Sequence, residues 1–317
     1  MSDHCLSSSL PSTDRPIRVL KFGGTSVGTP ERLQDTVHVV RETARSCRPV
    51  VVVSAAAGVT DLLVEAADAA PHSSAAAATW RERIGARYRA LAEDTIGSEP
   101  LWERYESTLQ ARLSALEQTF GDPVPRRSAS RDAVLAVGER LMAPLLVAVL
   151  ADAGYRTQAV DAALLIRTDA THGAAAVDGS GTRAQVRHWW TQWDDGIPVV
   201  TGFIGSTAEG VTTTLGRGGS DYSAALLACG LEAGCMERWT DVEGLYTADP
   251  TTHDDAQRLS RLQMEKARVW AKEGRLGLHV RTLDPLAAAG IPLHVRCTRR
   301  PEASGTRVVP AVSSPCR

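Results

Sequence analysis

The sequence predicts an α/β protein: a mostly parallel sheet with helices on both faces. Strand, turn and helix patterns alternate along the chain, and parallel strands joined by helical crossovers satisfy that alternation. The run PVVVVSA at 49–55 is continuously apolar and β-branched, as expected of a strand buried on both faces. Two glycine-rich segments, KFGGTSVG at 21–28 and TTTLGRGGSDYSA at 212–224, each follow an apolar run and open onto a helical pattern. Ligands bind at such strand ends in this architecture.

Taken in order, IRVLKF at 17–22 is the first strand, and Leu33, Val37, Val40 and Ala44 give 31–47 helical spacing. The strand at 49–55 leads into a helix beginning at GVTDLL. Residues 75–120 read as two amphipathic helices broken near Ile96-Gly97-Ser98, and 132–152 as a third long helix. Further strands are expected at 157–160, 197–202, 236–240 and 291–297, with PVPRRSAS at 123–130 as a surface loop.

The 317 residues and 43% hydrophobic content supply a substantial core, and a net charge of −2 gives no reason to expect nucleic acid or a membrane surface as a partner. No apolar run is read as long enough to span a membrane. Six cysteines without C-x-x-C or metal-ligand spacing read as reduced thiols, and residues 1–15 as a disordered tail without signal-peptide character, so a cytoplasmic protein is expected.

Lys21, one of only three lysines, precedes Gly23 and Gly24 at a strand end. An ammonium beside close-approaching backbone N–H groups suits a phosphate; a tight strand-to-helix turn explains the same residues more plainly. The GxxxxGK[ST] pattern is absent, which excludes a P-loop. Ser54 and Thr60 flank a second strand end, where Thr60 either caps the next helix or meets a carboxylate. Glu139 falls on the apolar stripe of Leu135, Met142, Leu146 and Val149. A carboxylate there needs a structural arginine or a ligand ammonium. Arg217 stands among glycines, free for a bidentate contact, with Ser220 and Asp221 beside it; Asp221 either holds Mg²⁺ or orients Lys21. Thr240, Asp241, Tyr246 and Asp249 follow a strand and either frame a nucleotide or make an ordinary polar loop.

Together these segments resemble aspartate kinase of the amino acid kinase superfamily. The matches are KFGGTSV, VVVSAAAGVTDLL, VGERL, PVVTGFIGST, GVTTTLGRGGSDYSA, WTDVEGLYTADP and, more weakly, GLHVRTLDPL with GIPLHVR, covering residues 18–308 in the family's order. The resemblance implies a three-layer αβα sandwich, with a substrate lobe at about 16–225 and a nucleotide lobe at about 226–310. It implies ATP-dependent phosphorylation of the aspartate side-chain carboxylate with ATP and Mg²⁺, and no protein-supplied metal cage. Lys21 and Asp221 would be catalytic; Phe22, Gly23 and Gly24 would join Lys21 around the phosphates. Ser54, Thr60, Glu139, Arg217 and Ser220 would hold the amino acid, with Thr240, Asp241, Tyr246 and Asp249 on the nucleotide.

The sequence departs from the family pattern at four places. Thr251 and Leu276 stand where an arginine and a lysine are expected at the nucleotide, and Lys266-Ala267 replaces a Glu-Ala pair. Met142 replaces a serine and would reshape the substrate pocket, which keeps another amino acid carboxylate open as the acceptor. The lost cations keep open a regulatory or assembly subunit, and a homodimer is compatible with the sequence. Residues 311–317 read as a tail, so the unit is expected to lack the family's ACT regulatory modules.

Overall fold

The computed structural model describes residues 15–69, 74–120, 127–248, 252–253 and 255–310. The two expected tails, apart from Arg15, lie outside them, as do Asp249 and Thr251. The amino-terminal half runs β1 (Ile17–Phe22), α1 (Pro30–Ala44), β2 (Arg48–Val53), α2 (Val59–Ala69), α3 (Ser74–Glu93), α4 (Glu99–Thr119), α5 (Arg127–Leu135), α6 (Val137–Asp152) and β3 (Thr157–Val160). Then follow α7 (Gly179–Thr191), β4 (Ile197–Thr201), β5 (Ile204–Ser206), β6 (Thr212–Thr214), α8 (Gly219–Gly230) and β7 (Cys235–Thr240). The chain closes with β8 (Arg261–Gln263), α9 (Met264–Lys272), α10 (Val280–Ala289), β9 (Leu293–Cys297) and β10 (Thr306–Val309).

Eight strands form one sheet in the order β3-β4-β2-β1-β7-β9-β10-β8. The first six are mutually parallel, and β10 turns antiparallel to β9. Period-two alternation divides the core between the faces. Leu20, Phe22, Val51, Val53 and Val199 pack with α1–α4 and α6, whereas Val19, Val50, Val52, Val200, Met236 and Val295 pack with α7–α10. The three-layer sandwich expected from the sequence is therefore present.

Several expectations need correction. The helix expected at 132–152 is two helices bent at Ala136, although hydrogen bonds run through the bend from Ala136 N to Asp132 O (2.9 Å) and from Arg140 N to Ala136 O (3.1 Å). Arg127–Ser130, expected as loop, are the first turn of α5. The stretch Ser128–Asp152 is, by length and composition, apolar enough to cross a membrane, contrary to the sequence reading; 72% of its most apolar window is buried inside the protein, as in the core helix of a globular fold. The antiparallel pair β5–β6 was not anticipated.

One close approach fixes α6 against the sheet. Ala55 follows β2 and wedges between two glycines. A Cβ added at Gly138 would lie 2.6 Å from the Ala55 Cβ, and one at Gly24 would lie 2.8 Å from the Ala55 carbonyl oxygen. The buried Tyr88 hydroxyl donates to Gly138 O (2.6 Å) and accepts from Ala56 N (3.4 Å). Gly138→Ala is expected to cost about 1–3 kcal/mol through overpacking, read as a lower urea midpoint with an unchanged slope; an unchanged midpoint would show that α6 shifts freely.

Candidate functional site

The site lies at the carboxyl ends of β1, β2, β4 and β7, beside the point where successive strands leave β1 in opposite directions. Lys21 shares the parity of Val19 and so points toward α8. Its register partner on the adjacent parallel strand β7 is Arg238. Asp221, in the first turn of α8, stands between them: Lys21 Nζ is 2.7 Å from Asp221 Oδ1, and Arg238 Nε is 3.0 Å from Oδ2. The Lys21 contact is an ion pair without aligned hydrogen-bond geometry, because Oδ1 accepts no aligned hydrogen bond. Lys21 and Asp221 are 7% and 5% exposed. Burial disfavours the Asp221 anion, but Lys21 and then Arg238 outweigh it and hold the carboxyl below its ordinary range.

This cluster separates two cavities. The first, about 440 Å³, is walled by Lys21, Ser54, Thr60, Glu139, Arg217, Ser220 and Asp221, with Val64, Leu135 and Phe203 as its apolar surface. The second, about 780 Å³, is walled by Arg238, Thr240, Asp241, Tyr246, Arg275 and Leu276, among others. Both fall in the size range of small-molecule sites.

Glu139 is 5% exposed and has no cation within ion-pair distance among the described residues. Its neighbour Arg140 is instead bound to Asp161 at 2.7 Å. Burial pushes the Glu139 carboxyl up to about 7, against weaker opposing hydrogen bonds from the backbone of Ala55 and of Glu139 itself. The structural-arginine reading is thus set aside. Arg217 is exposed and forms no ion pair or side-chain hydrogen bond recorded with another described residue. The first cavity therefore presents an uncommitted guanidinium and an unpaired carboxyl.

Most residues singled out in the sequence meet at these two cavities, but not all. The Phe22 side chain falls on the opposite sheet face, fully buried and stacked on Trp239 with ring centroids 6.3 Å apart. It cannot line a phosphate site, because alternation turns it away from Lys21. Gly23 and Gly24 are not among the residues walling these two cavities, and a Cβ at Gly23 would sit 3.7 Å from Lys21 Nζ. Thr60 is within α2, which starts at Val59, so it is not the residue capping that helix. Met142 is fully buried in the core and lines neither cavity, so it does not reshape the pocket. Asp249 lies outside the described residues. Arg275 lines the second cavity, stacked over Trp270 at 4.2 Å with Nη2 donating to Thr247 O at 3.0 Å. Sequence reasoning missed Arg238 and Tyr88. The register of two strands whose paired residues lie 217 positions apart, seen in the Lys21↔Arg238 pairing, would have found the first; nothing local marks the second. No group of three or more His, Cys, Asp or Glu residues suited to a metal occurs among the described residues.

The chain belongs to the amino acid kinase family, whose model matches residues 16–297. It is similar to the lysine-sensitive aspartokinase 3 of Escherichia coli, 32% identical over 307 residues, covering 94% of this chain and 65% of that protein. It is likewise similar to the aspartokinase of Chlamydia trachomatis, 33% identical over 91% of this chain and 63% of that protein. The crystal structure of E. coli aspartokinase III with aspartate and ADP superposes with a TM-score of 0.83 at 32% identity, covering 94% of this chain and 65% of that one. The chain thus spans just under two thirds of the length of these relatives.

The Glu139 proton gives a stability signature. The folded protein keeps this proton up to pH about 7, whereas an ordinary glutamate loses it near 4.5. Between those values the folded state binds more protons than the unfolded state, so the group's contribution to stability falls as pH rises and levels off above about 7. The full difference corresponds to roughly 3 kcal/mol. Denaturation of the ligand-free protein from pH 5 to 8 should therefore show Glu139→Gln gaining stability relative to wild type as pH rises; parallel curves would mean that Glu139 is ionised throughout.

Proposed function

We propose that this protein transfers the γ-phosphoryl group of ATP to the side-chain carboxylate of L-aspartate, forming an acyl phosphate. The observation that carries the reading is the Lys21–Asp221–Arg238 cluster, which stands between a cavity of mixed charge and a cavity edged by arginines. An amino acid in the first cavity and a nucleotide in the second would meet at Lys21. On this reading residues 16–225 bind the amino acid and 226–310 the nucleotide.

In the first cavity Glu139 takes the ligand ammonium, whose charge favours the carboxylate so that the carboxyl proton is released to solvent, and Arg217 takes a carboxylate through its two parallel N–H groups. Ser54, Thr60 and Ser220 supply neutral hydrogen bonds. In the second, Thr240, Asp241 and Tyr246 frame the nucleotide. The acceptor carboxylate is ionised at neutral pH and needs no general base. One of its oxygens forms the new bond to phosphorus as the bond to the departing diphosphate breaks. Lys21, held in aim by Asp221, neutralises charge on the transferring oxygens, and catalysis is alignment plus charge neutralisation. Mg²⁺ bound with the nucleotide would add further neutralisation at the phosphates. The aspartokinase relatives and the aspartate and ADP held by the E. coli structure support this assignment.

Trapping with hydroxylamine tests it: wild-type protein with ATP, Mg²⁺ and aspartate should yield aspartyl hydroxamate, and no product across a panel of amino acids would overturn the reading. Lys21→Ala, checked for folding by circular dichroism, should lose at least about 100-fold in rate; a near-wild-type rate would remove Lys21 from the chemistry.

Leu276, 7% exposed on the wall of the second cavity, adds no charge there, and Arg275 is the adjacent cation. Arg275→Ala should raise the Michaelis constant for ATP about tenfold, as expected for losing one charge-assisted contact, while leaving that for aspartate unchanged. No effect on ATP would show that Arg275 stays on Trp270 and never reaches the phosphates.

A further inference from the structure

The loop that carries Arg217 is glycine-rich, and two of its glycines, Gly216 and Gly218, both have φ of 72°. Such backbone is conformationally permissive and costly to order. Arg217 itself is exposed and contributes no contact that holds the loop in place. Two groups outside both cavities do hold it.

On one side stands Asp132 of α5, 1% exposed. Its carboxylate accepts from Thr214 Oγ1 (2.6 Å), Thr214 N (3.1 Å) and Gly173 N (3.1 Å), and lies 2.8 Å from His172 Nδ1. Ala175 N then donates to Thr214 O at 2.9 Å, which ties the 172–175 turn to β6. These bonds end where the glycines begin.

On the other side stands Arg281 in the first turn of α10. Nη1 donates to Leu215 O at 2.9 Å and Nη2 to Ala175 O at 3.1 Å. The guanidinium lies 4.7 Å over the Tyr222 ring of α8. One planar fork thus bridges two backbone segments that Asp132 joins from behind, directly before Gly216. Arg281 lines neither cavity, and α10 begins shortly after Gly277, which lies on the wall of the second.

We propose that Arg281 is a positioning residue that fixes the Leu215–Gly219 loop so that Arg217 faces the first cavity. The consequence for catalysis rests on reading that cavity as the amino acid site. Arginine suits the task because its rigid fork satisfies two carbonyls at once and its flat face packs on an aromatic ring; a lysine ammonium offers one point of charge.

Arg281→Met keeps the packing over Tyr222 and removes both donors, and Arg281→Lys restores part of the contact. Amide hydrogen exchange across 214–219, measured on the protein without ligand, should speed up about tenfold in Arg281→Met, the change expected for losing hydrogen bonds from a charged donor, and recover partly in Arg281→Lys. The Michaelis constant for aspartate should rise about tenfold in Arg281→Met, with kcat and the constant for ATP within threefold of wild type. Unchanged loop exchange would overturn the proposal. So would a fall in kcat and a rise in both constants together with a lowered melting temperature, because a purely structural role moves all of them. Wild-type protein that forms no aspartyl hydroxamate sinks the reading of the cavity, while the exchange comparison still decides the role of Arg281 in the loop.

Discussion

The buried ion cluster at the end of β1 is the constraint around which the rest of the site is arranged. A carboxylate at 5% exposure and an ammonium at 7% carry a desolvation cost that their mutual attraction offsets only with good geometry. Replacing such groups by apolar residues is often neutral or stabilising, so their presence is poor evidence of a stability role and good evidence of a functional one. The geometry comes from the fold. Parallel register sets Lys21 beside Arg238, alternation aims both at α8, and the first turn of α8 places Asp221 between them. Two cations against one anion leave a net positive charge in the wall between the cavities, which favours anions arriving from either side.

Glu139 and Asp221 share one cavity and are driven in opposite directions. Two nearby cations keep Asp221 ionised; Glu139 lacks such a partner and is pushed up to about 7. Environments that separate the titration of two carboxyls assign them different roles. Asp221 is held as an anion against Lys21, and on the proposed function it aims that ammonium. Glu139 ionises only near neutral pH, so a positive group beside it would shift its charge. Its position depends on a dry contact, since the Gly138–Ala55 approach and the Tyr88 hydroxyl hold the start of α6 against the loop after β2.

Local pattern made much of this legible. The β-branched run at 49–55 revealed a strand covered on both faces, and the glycine segments marked the strand ends where the first cavity opens. Glu139 stood out because a carboxylate on an apolar stripe is anomalous without knowledge of its neighbours. The failures were relational. Arg238 sits in CMERWT, where nothing distinguishes it; it matters because it pairs in register with Lys21. Phe22 was grouped with Lys21 by its place in the matched motif, although adjacent strand residues face opposite sides of a sheet. Met142 was placed in the pocket by its motif position, but in the helix it falls within the core. The short strands β8 and β10 and the β5–β6 pair carry too few residues for periodicity to register.

The division of labour between lysine and arginine follows from their chemistry. Arginine predominates in this chain, yet the group nearest the proposed transfer point is one of its three lysines. The cations with geometric tasks are arginines. Arg238 divides its fork between Asp221 and Gly277 O, and Arg281 divides its own between two carbonyls. Each of them holds protein to protein, for which a planar set of fixed donors is suited. On the proposed function Lys21 has a different task. A phosphoryl group in flight moves relative to its surroundings, and a compact ammonium on a flexible stem can follow it while one side remains against Asp221. A guanidinium at that position would need room for its fork between β1, β7 and α8, where Arg238 already occupies the space beside the carboxylate. The rigid cations of this site therefore build it, and in the proposed reaction the flexible one is left to meet the reacting group.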